Sequence, residues 1–139
     1  MRRAWTVVLA GAVAVSAPAA AAASDASIKT TFVQGLAQVR APTPAARLDR
    51  QLRLTLQRLR SDTASSAAGR QGRSLAAEGF AWMRRRVQAE LAMIRNDSGS
   101  IEAAIRDARR ADRCLARAAV LLRSAGRALG VRVGKIDGR

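Results

Sequence analysis

The chain has 139 residues, of which 25 are basic, 10 are acidic and none is histidine or tyrosine, so its formal net charge is +15. Without histidine it lacks the usual general base and the commonest metal ligand, and we expect no catalytic constellation, no bound metal and no cofactor. The basic surplus favours an anionic partner, and the length fits one domain.

The first 23 residues have the pattern of an export signal. Two arginines follow the initial methionine, residues 4–15 are apolar, and a run of small residues ends at Ala23. We expect cleavage after Ala23 and export to the bacterial periplasm or secretion. The alternative is an uncleaved anchor in the inner membrane, because residues 4–23 approach the roughly 20 residues that a spanning helix needs.

Residues 24–129 are predicted to be all-α, because apolar residues recur every three or four positions without strand-like alternation. The first helix is predicted from about Asp25 or Ser27 to Arg40. Its apolar face holds four residues, Ile28, Phe32, Leu36 and Val39.

The second helix is predicted from Pro44 to about Asp62, with Thr43 as its N-cap. Its apolar face has heptad-like spacing that requires a partner helix. This face holds Ala45, Leu48, Leu52, Leu56 and Leu59. Residues 61–73 are rich in serine, alanine and glycine, and we predict that they form the main mobile loop, with the glycines as break points.

The third helix is predicted from about Ser74 to Arg95 and carries two apolar lines. The inward line consists of Phe80, Met83, Val87, Leu91 and Ile94. A second line, more than a right angle away, consists of Leu75, Gly79, Trp82, Ala89 and Met93. Successive side chains turn by about 100°, so the three arginines at 84–86 form no single patch. Arg86 follows Trp82 by four residues and is expected to lie over the indole ring.

The fourth helix is predicted to follow the N-cap Ser100 and to end at Leu129, with Gly130 as its stop. Its inner line is rich in alanine, which favours close approach of another helix, and consists of Ile101, Ala104, Ile105, Ala108, Ala111, Leu115, Ala118, Leu122, Ala125 and Leu129. Five arginines share the opposite sector and form what we call the arginine stripe, namely Arg106, Arg110, Arg113, Arg117 and Arg127. Residues 130–139 are predicted to be a flexible basic tail.

These elements predict a small up-and-down bundle of four helices over residues 24–129. The alternative is a three-helix core with a loosely attached first helix. The arginine stripe is the candidate anion-binding site. A candidate partner contact consists of Leu75, Trp82, Arg86 and Met93. Cys114, the single cysteine, is predicted to be either a partly buried, inert thiol or one half of an intermolecular disulfide.

One segment of the fourth helix is the basis of an enzyme hypothesis. The stretch from Arg106 to Lys135, which ends in VRVGK, resembles the first helix of the all-helical chorismate mutases. The resemblance covers that helix alone. It implies that Arg106, Arg123 and Lys135 would clamp an anionic substrate.

The sequence supports three functional hypotheses. The first is an exported, non-enzymatic protein that binds an anionic partner through its outer arginines, such as an envelope lipid headgroup, a cell-surface polymer or nucleic acid. The second is a structural or interaction module, adaptor or chaperone-like, that pairs with itself or another protein through the apolar flank around Trp82. The third is a small enzyme with an arginine-lined pocket for an anionic substrate. Aromatic residues make up only 3% of the chain, so sequence-specific recognition of nucleic acid is not expected.

Overall fold

The computed structural model describes residues 16–97 and 99–137, with side chains from Ser24 onward. Most of the expected export signal therefore lies outside the described residues. The described part contains four helices and no strand, with α1 at Ser16–Arg40, α2 at Ala45–Ser61, α3 at Ala67–Ile94 and α4 at Ile101–Leu129. This confirms the predicted small, all-α bundle of four helices.

The core lies between α1, α2 and α3, and α4 packs along α3 to close it. All four residues predicted for the apolar face of α1 are buried, and Phe32 and Phe80 meet with ring centroids 5.9 Å apart. The leucines predicted for α2 are buried too. Because Ile28 and Phe32 are fully buried, α1 is an integral part of the core and the alternative of a loosely attached first helix is wrong.

The start of α2 differs from the prediction by one residue. Pro44, with φ −55° and ψ 142°, is the N-cap, and no side chain caps the helix. The Pro44 carbonyl accepts hydrogen bonds from the backbone N–H groups of Arg47 and Leu48. The fixed φ of proline suits either side of this boundary, and its extended ψ places it just outside the helix. Thr43 is therefore not the N-cap.

The predicted mobile loop at residues 61–73 is mostly helical. Ser66 caps α3, since its side chain accepts a hydrogen bond from the backbone N–H of Gly69 at 2.8 Å. Gly69 and Gly72 lie inside the first two turns and are buried. A Cβ at Gly72 would collide with Leu129 of α4. These glycines allow close contact between helices, and packing overrides their low helix propensity.

Asp25 of α1 links the first helix to the start of α3. Its carboxylate accepts a hydrogen bond from the backbone N–H of Ser65 at 3.2 Å, and it lies against Gly69, near the positive end of the α3 dipole. Hydrogen bonds from Ser66 and Ser65 hold the pKa of the Asp25 carboxyl below its usual value, against the opposing effect of desolvation.

The first turns of α4 do not face the core, contrary to the predicted inner line. Ile101 is 76% exposed and Ile105 is 46% exposed. Gly72 faces Leu129 and Gly79 faces Leu122, so the antiparallel register places the end of α3 level with about residue 107 of α4. The first turns of α4 extend past that level, where α3 does not cover them.

The segment after α4 is folded onto the bundle as far as Asp137. Gly130, with φ 64°, turns the chain at the end of α4. Ile136 is then buried, and Val131 and Val133 pack against the core. Residues 130–137, predicted to belong to a flexible tail, thus pack against the bundle. Gly126 leaves room for Val133 against α4.

Candidate anion-binding groove

The three consecutive arginines of α3 have three different environments, as their helical spacing predicts. Arg84 pairs through Nε with Asp49 Oδ1 of α2 at 2.8 Å. The guanidinium carbon of Arg85 lies 4.4 Å from the centroid of the Trp82 ring. Arg86 is buried and donates to Glu90 one turn further along α3. Arg85 therefore occupies the position over the indole that was predicted for Arg86, and Arg86 is paired with Glu90 instead.

The second apolar line of α3 packs against α4. Gly79 and Ala89 are buried, and a Cβ at Gly79 would come within 2.8 Å of Leu122. Leu75, Trp82 and Met93 are half-buried. Of the residues predicted for a partner contact, Arg86 is buried, and the other three are partly buried within the bundle. The apolar surface exposed around Trp82 is therefore smaller than the prediction implied.

All five residues of the arginine stripe on α4 are exposed. The middle three, Arg110, Arg113 and Arg117, line one groove together. Arg106 and Arg127 do not line it. Arg127 is ten residues beyond Arg117, or about 15 Å along the helix. The stripe is thus a central cluster with two outlying cations.

The central cluster forms one wall of what we call the arginine groove. Its volume is about 620 Å³, and it lies between α3 and α4. The residues that line it are Trp82, Arg85, Arg110, Arg113, Cys114 and Arg117. Side chains three and four apart share one face of a helix, so Arg110, Cys114 and Arg117 project to the same side of α4. Trp82 and Arg85 have the same spacing on α3.

The groove carries a strong positive charge that nearby acids do not neutralise. Arg117 is 3.8 Å from Glu78, and both side chains are about half exposed, 55% and 50%, so water screens this pair. Within the described part of the chain, no salt bridge is found to Arg85, Arg110 or Arg113. Among the described residues, the Arg117–Glu78 pair is thus the one salt bridge found for the four arginines that line the groove.

Cys114 lies at the base of this groove and is only 3% exposed. A disulfide to a second chain requires access to the sulfur, so this placement favours the inert thiol over the intermolecular bridge. Electrophoresis with and without reductant remains the direct way to distinguish the two.

The residues of the enzyme hypothesis do not converge. Arg106 and Arg123 are both exposed on α4 and are separated by about 25 Å along its axis. Lys135 lies beyond the end of α4, with Nζ 3.2 Å from Asp137. None of the three lines the arginine groove. Among the described residues, no cluster of acids and cysteine suited to a metal ion is found.

One residue of the groove was missed by the sequence analysis. The spacing of α3 showed only that residues 84–86 form no single patch, and no site was assigned to Arg85. The signal that would have found it is the three-residue spacing from Trp82, which places a cation on the same face as the indole. Whether Arg85 lies near the arginines of α4 depends on the register of the two helices, and local sequence patterns do not predict that register.

Comparison with known proteins adds no relative. No family model, no curated protein and no solved structure matches the chain. Among the described residues, the helices are too short or too polar to cross a membrane.

Proposed function

We propose that the protein is an exported, non-enzymatic helical bundle that binds an anionic ligand in the arginine groove. One observation carries this proposal. Three arginines of α4 and Arg85 of α3 converge on one concave surface, and three of these four cations have no acidic partner in the described residues. Unpaired cations around a concavity are the arrangement that a bound anion neutralises.

The chemistry of arginine supports tight anion binding at this place. Each guanidinium offers five N–H donors in a planar fork that fits carboxylate, sulfate or phosphate oxygens, and it keeps its charge at all physiological pH values. Hydrogen bonds between charged groups are about twice as strong as neutral ones. The half-buried Trp82 ring and the buried Cys114 place apolar surface beside the cations, and charge interactions are stronger beside such surface than in open water.

The same inventory favours binding over catalysis. The groove presents hydrogen-bond donors and a buried thiol, and the carboxylate found beside it, Glu78, faces Arg117. General acid–base chemistry needs a group that exchanges a proton near neutral pH, which arginine does not do. Arg106 and Arg127, outside the groove, add to the positive field that attracts an anion. The expected export signal would place this function in the bacterial envelope or outside the cell.

Calorimetric titration with inorganic triphosphate tests the proposal. We expect saturable binding that weakens at least tenfold between 50 and 300 mM NaCl, because binding then depends on charge. The variant R110Q/R113Q/R117Q should lose at least tenfold in affinity, since a loss of only about 1.4 kcal/mol suffices for that change.

The matched control removes the same charge elsewhere. R47Q/R50Q/R58Q changes three exposed arginines of α2 and should weaken binding by less than threefold. Equal losses in the two variants would mean that net charge alone attracts the anion. Affinity that does not change with salt would also contradict the proposal.

A further inference from the structure

We infer that the ligand of the arginine groove is a compact organic anion, with a flat apolar body and at least two acidic groups. This inference rests on the proposed function and makes it more specific. It separates the groove from a general polyanion surface and from a site for small inorganic ions.

The apolar part of the inference comes from the base of the groove. Trp82 and Cys114 line it together with the arginines, whose aliphatic stems are themselves apolar below the charged ends. An inorganic anion would bind the guanidinium ends and leave this apolar base in water. A ligand with an apolar body would cover both surfaces, and the release of water from the base would add to its affinity.

The flat shape comes from the pairing of Arg85 with Trp82. The guanidinium carbon of Arg85 lies over the indole ring, 4.4 Å from its centroid. Guanidinium groups also stack on flat π-systems. The planar guanidinium of Arg85 and the half-buried ring of Trp82 thus offer flat surfaces to the body of a ligand, and the guanidinium adds N–H donors at its edge.

The number of acidic groups follows from the placement of the cations. Arg110 and Arg117 are seven residues apart on α4, which is about 10 Å along the helix axis, and Arg85 approaches from the other wall. A single acidic group meets only one side of this arrangement. Two acidic groups on opposite ends of a ring would reach cations of both helices.

The compact size follows from the limits of the groove. A volume of about 620 Å³ falls in the range of about 300–1,000 Å³ that is usual for small-molecule sites. A polymer would instead need a continuous row of cations. The two outlying arginines of the stripe, Arg106 and Arg127, do not line the groove. The cations that lie beside its apolar surface therefore form a short cluster.

Two disulfonates that differ in their bodies test the inference by calorimetry on the full chain. Naphthalene-1,5-disulfonate has two acidic groups on a flat ring, and propane-1,3-disulfonate has two acidic groups without a ring. We expect the naphthalene compound to bind the native protein at least tenfold more tightly. Trp82→Leu should reduce this ratio to less than threefold, whereas Met93→Leu, on the same side of α3 but outside the groove, should leave it unchanged.

A second variant covers the case in which Trp82→Leu disturbs folding. Arg85→Gln removes the planar cation from the surface of α3 and should also reduce the ratio, with the helical content checked by circular dichroism.

The outcomes separate this inference from the proposed function. Equal affinity for both disulfonates, with loss of both in R110Q/R113Q/R117Q, would overturn the inference and leave anion binding intact. Binding of triphosphate without binding of either disulfonate would overturn it in the same way. If the ratio of the two disulfonate affinities were unchanged in both Trp82→Leu and Arg85→Gln, the naphthalene ring would bind elsewhere, and this would also overturn the inference. Failure of all three anions to bind would overturn both.

Discussion

The two arginine clusters of this bundle have opposite environments. On α3, Arg84 and Arg86 are paired with Asp49 and Glu90, and Arg86 is almost completely buried. On α4, Arg110 and Arg113 are exposed and are not paired with any acid among the described residues. The run RRR is the more conspicuous pattern in the sequence, yet two of its three cations are used within the fold. The spaced arginines of α4 remain available to a ligand.

This difference arises from helical geometry. Consecutive residues on a helix point about 100° apart, so a run of three charges reaches three different neighbours. Charges spaced by three and four residues share one side, and they can act together on one partner. Arg85 is the exception in the run, because it shares the Trp82 face and joins the arginine groove.

Substitution of one arginine from each cluster should show the largest contrast. The Arg86 side chain is only 7% exposed, and Arg86→Ala removes it from the interior and leaves Glu90 unpaired. We therefore expect a loss of about 2 kcal/mol in the free energy of unfolding. Arg113→Ala alters an exposed side chain and should change it by less than about 0.5 kcal/mol. Urea denaturation measures both.

The affinity for triphosphate should show the reverse order. Arg113→Ala should weaken binding severalfold, and Arg86→Ala should leave binding unchanged under conditions where the variant is folded. If Arg86→Ala and Arg113→Ala changed stability equally and affinity equally, the two arginine clusters would not differ in role.

The sequence predicted the parts of this arrangement that depend on local periodicity. The four helices, the buried faces of α1 and α2 and the divergence of residues 84–86 all follow from spacing. Errors occurred where a distant neighbour decides the local structure. Gly72 was predicted to lie in a loop, but it lies in α3, where Leu129 of α4 packs against it.

The same limit applies to the arginine groove. Three of its arginines were predicted from the stripe on α4. The presence of Arg85 in one wall and of Cys114 at the bottom of the groove depends on how α3 and α4 align. Similarly, Ile101 belongs to the apolar spacing of α4 but has no neighbour to cover it. Periodicity identifies the side of a helix on which a residue lies, and the register of the neighbouring helix decides what it contacts.

Double-mutant cycles refine the comparison at the level of single ion pairs. The Arg84–Asp49 pair has an Nε to Oδ1 distance of 2.8 Å and side chains that are 32% and 22% exposed, and we expect a coupling energy of about 1 kcal/mol. The Arg117–Glu78 pair is 3.8 Å apart and about half exposed, so its coupling should be below about 0.3 kcal/mol. The cycles use Gln for Arg and Glu, and Asn for Asp. A stronger coupling for Arg117 would mean that Glu78 competes with a ligand for the groove.

Acid should affect the contacts that stabilise the bundle and leave the groove unchanged. The pKa of Asp25 in the folded state is below its ordinary value of 3.8, so its contribution to stability is complete above that value and is lost as the pH falls through the folded pKa. We therefore expect the urea midpoint to decrease below about pH 4 and Asp25→Asn to reduce this decrease. Guanidinium groups and sulfonates both stay ionised in this range, so the affinity for naphthalene-1,5-disulfonate should be constant between pH 5 and 9. A change in affinity within that range would contradict a groove in which arginines alone bind the anion.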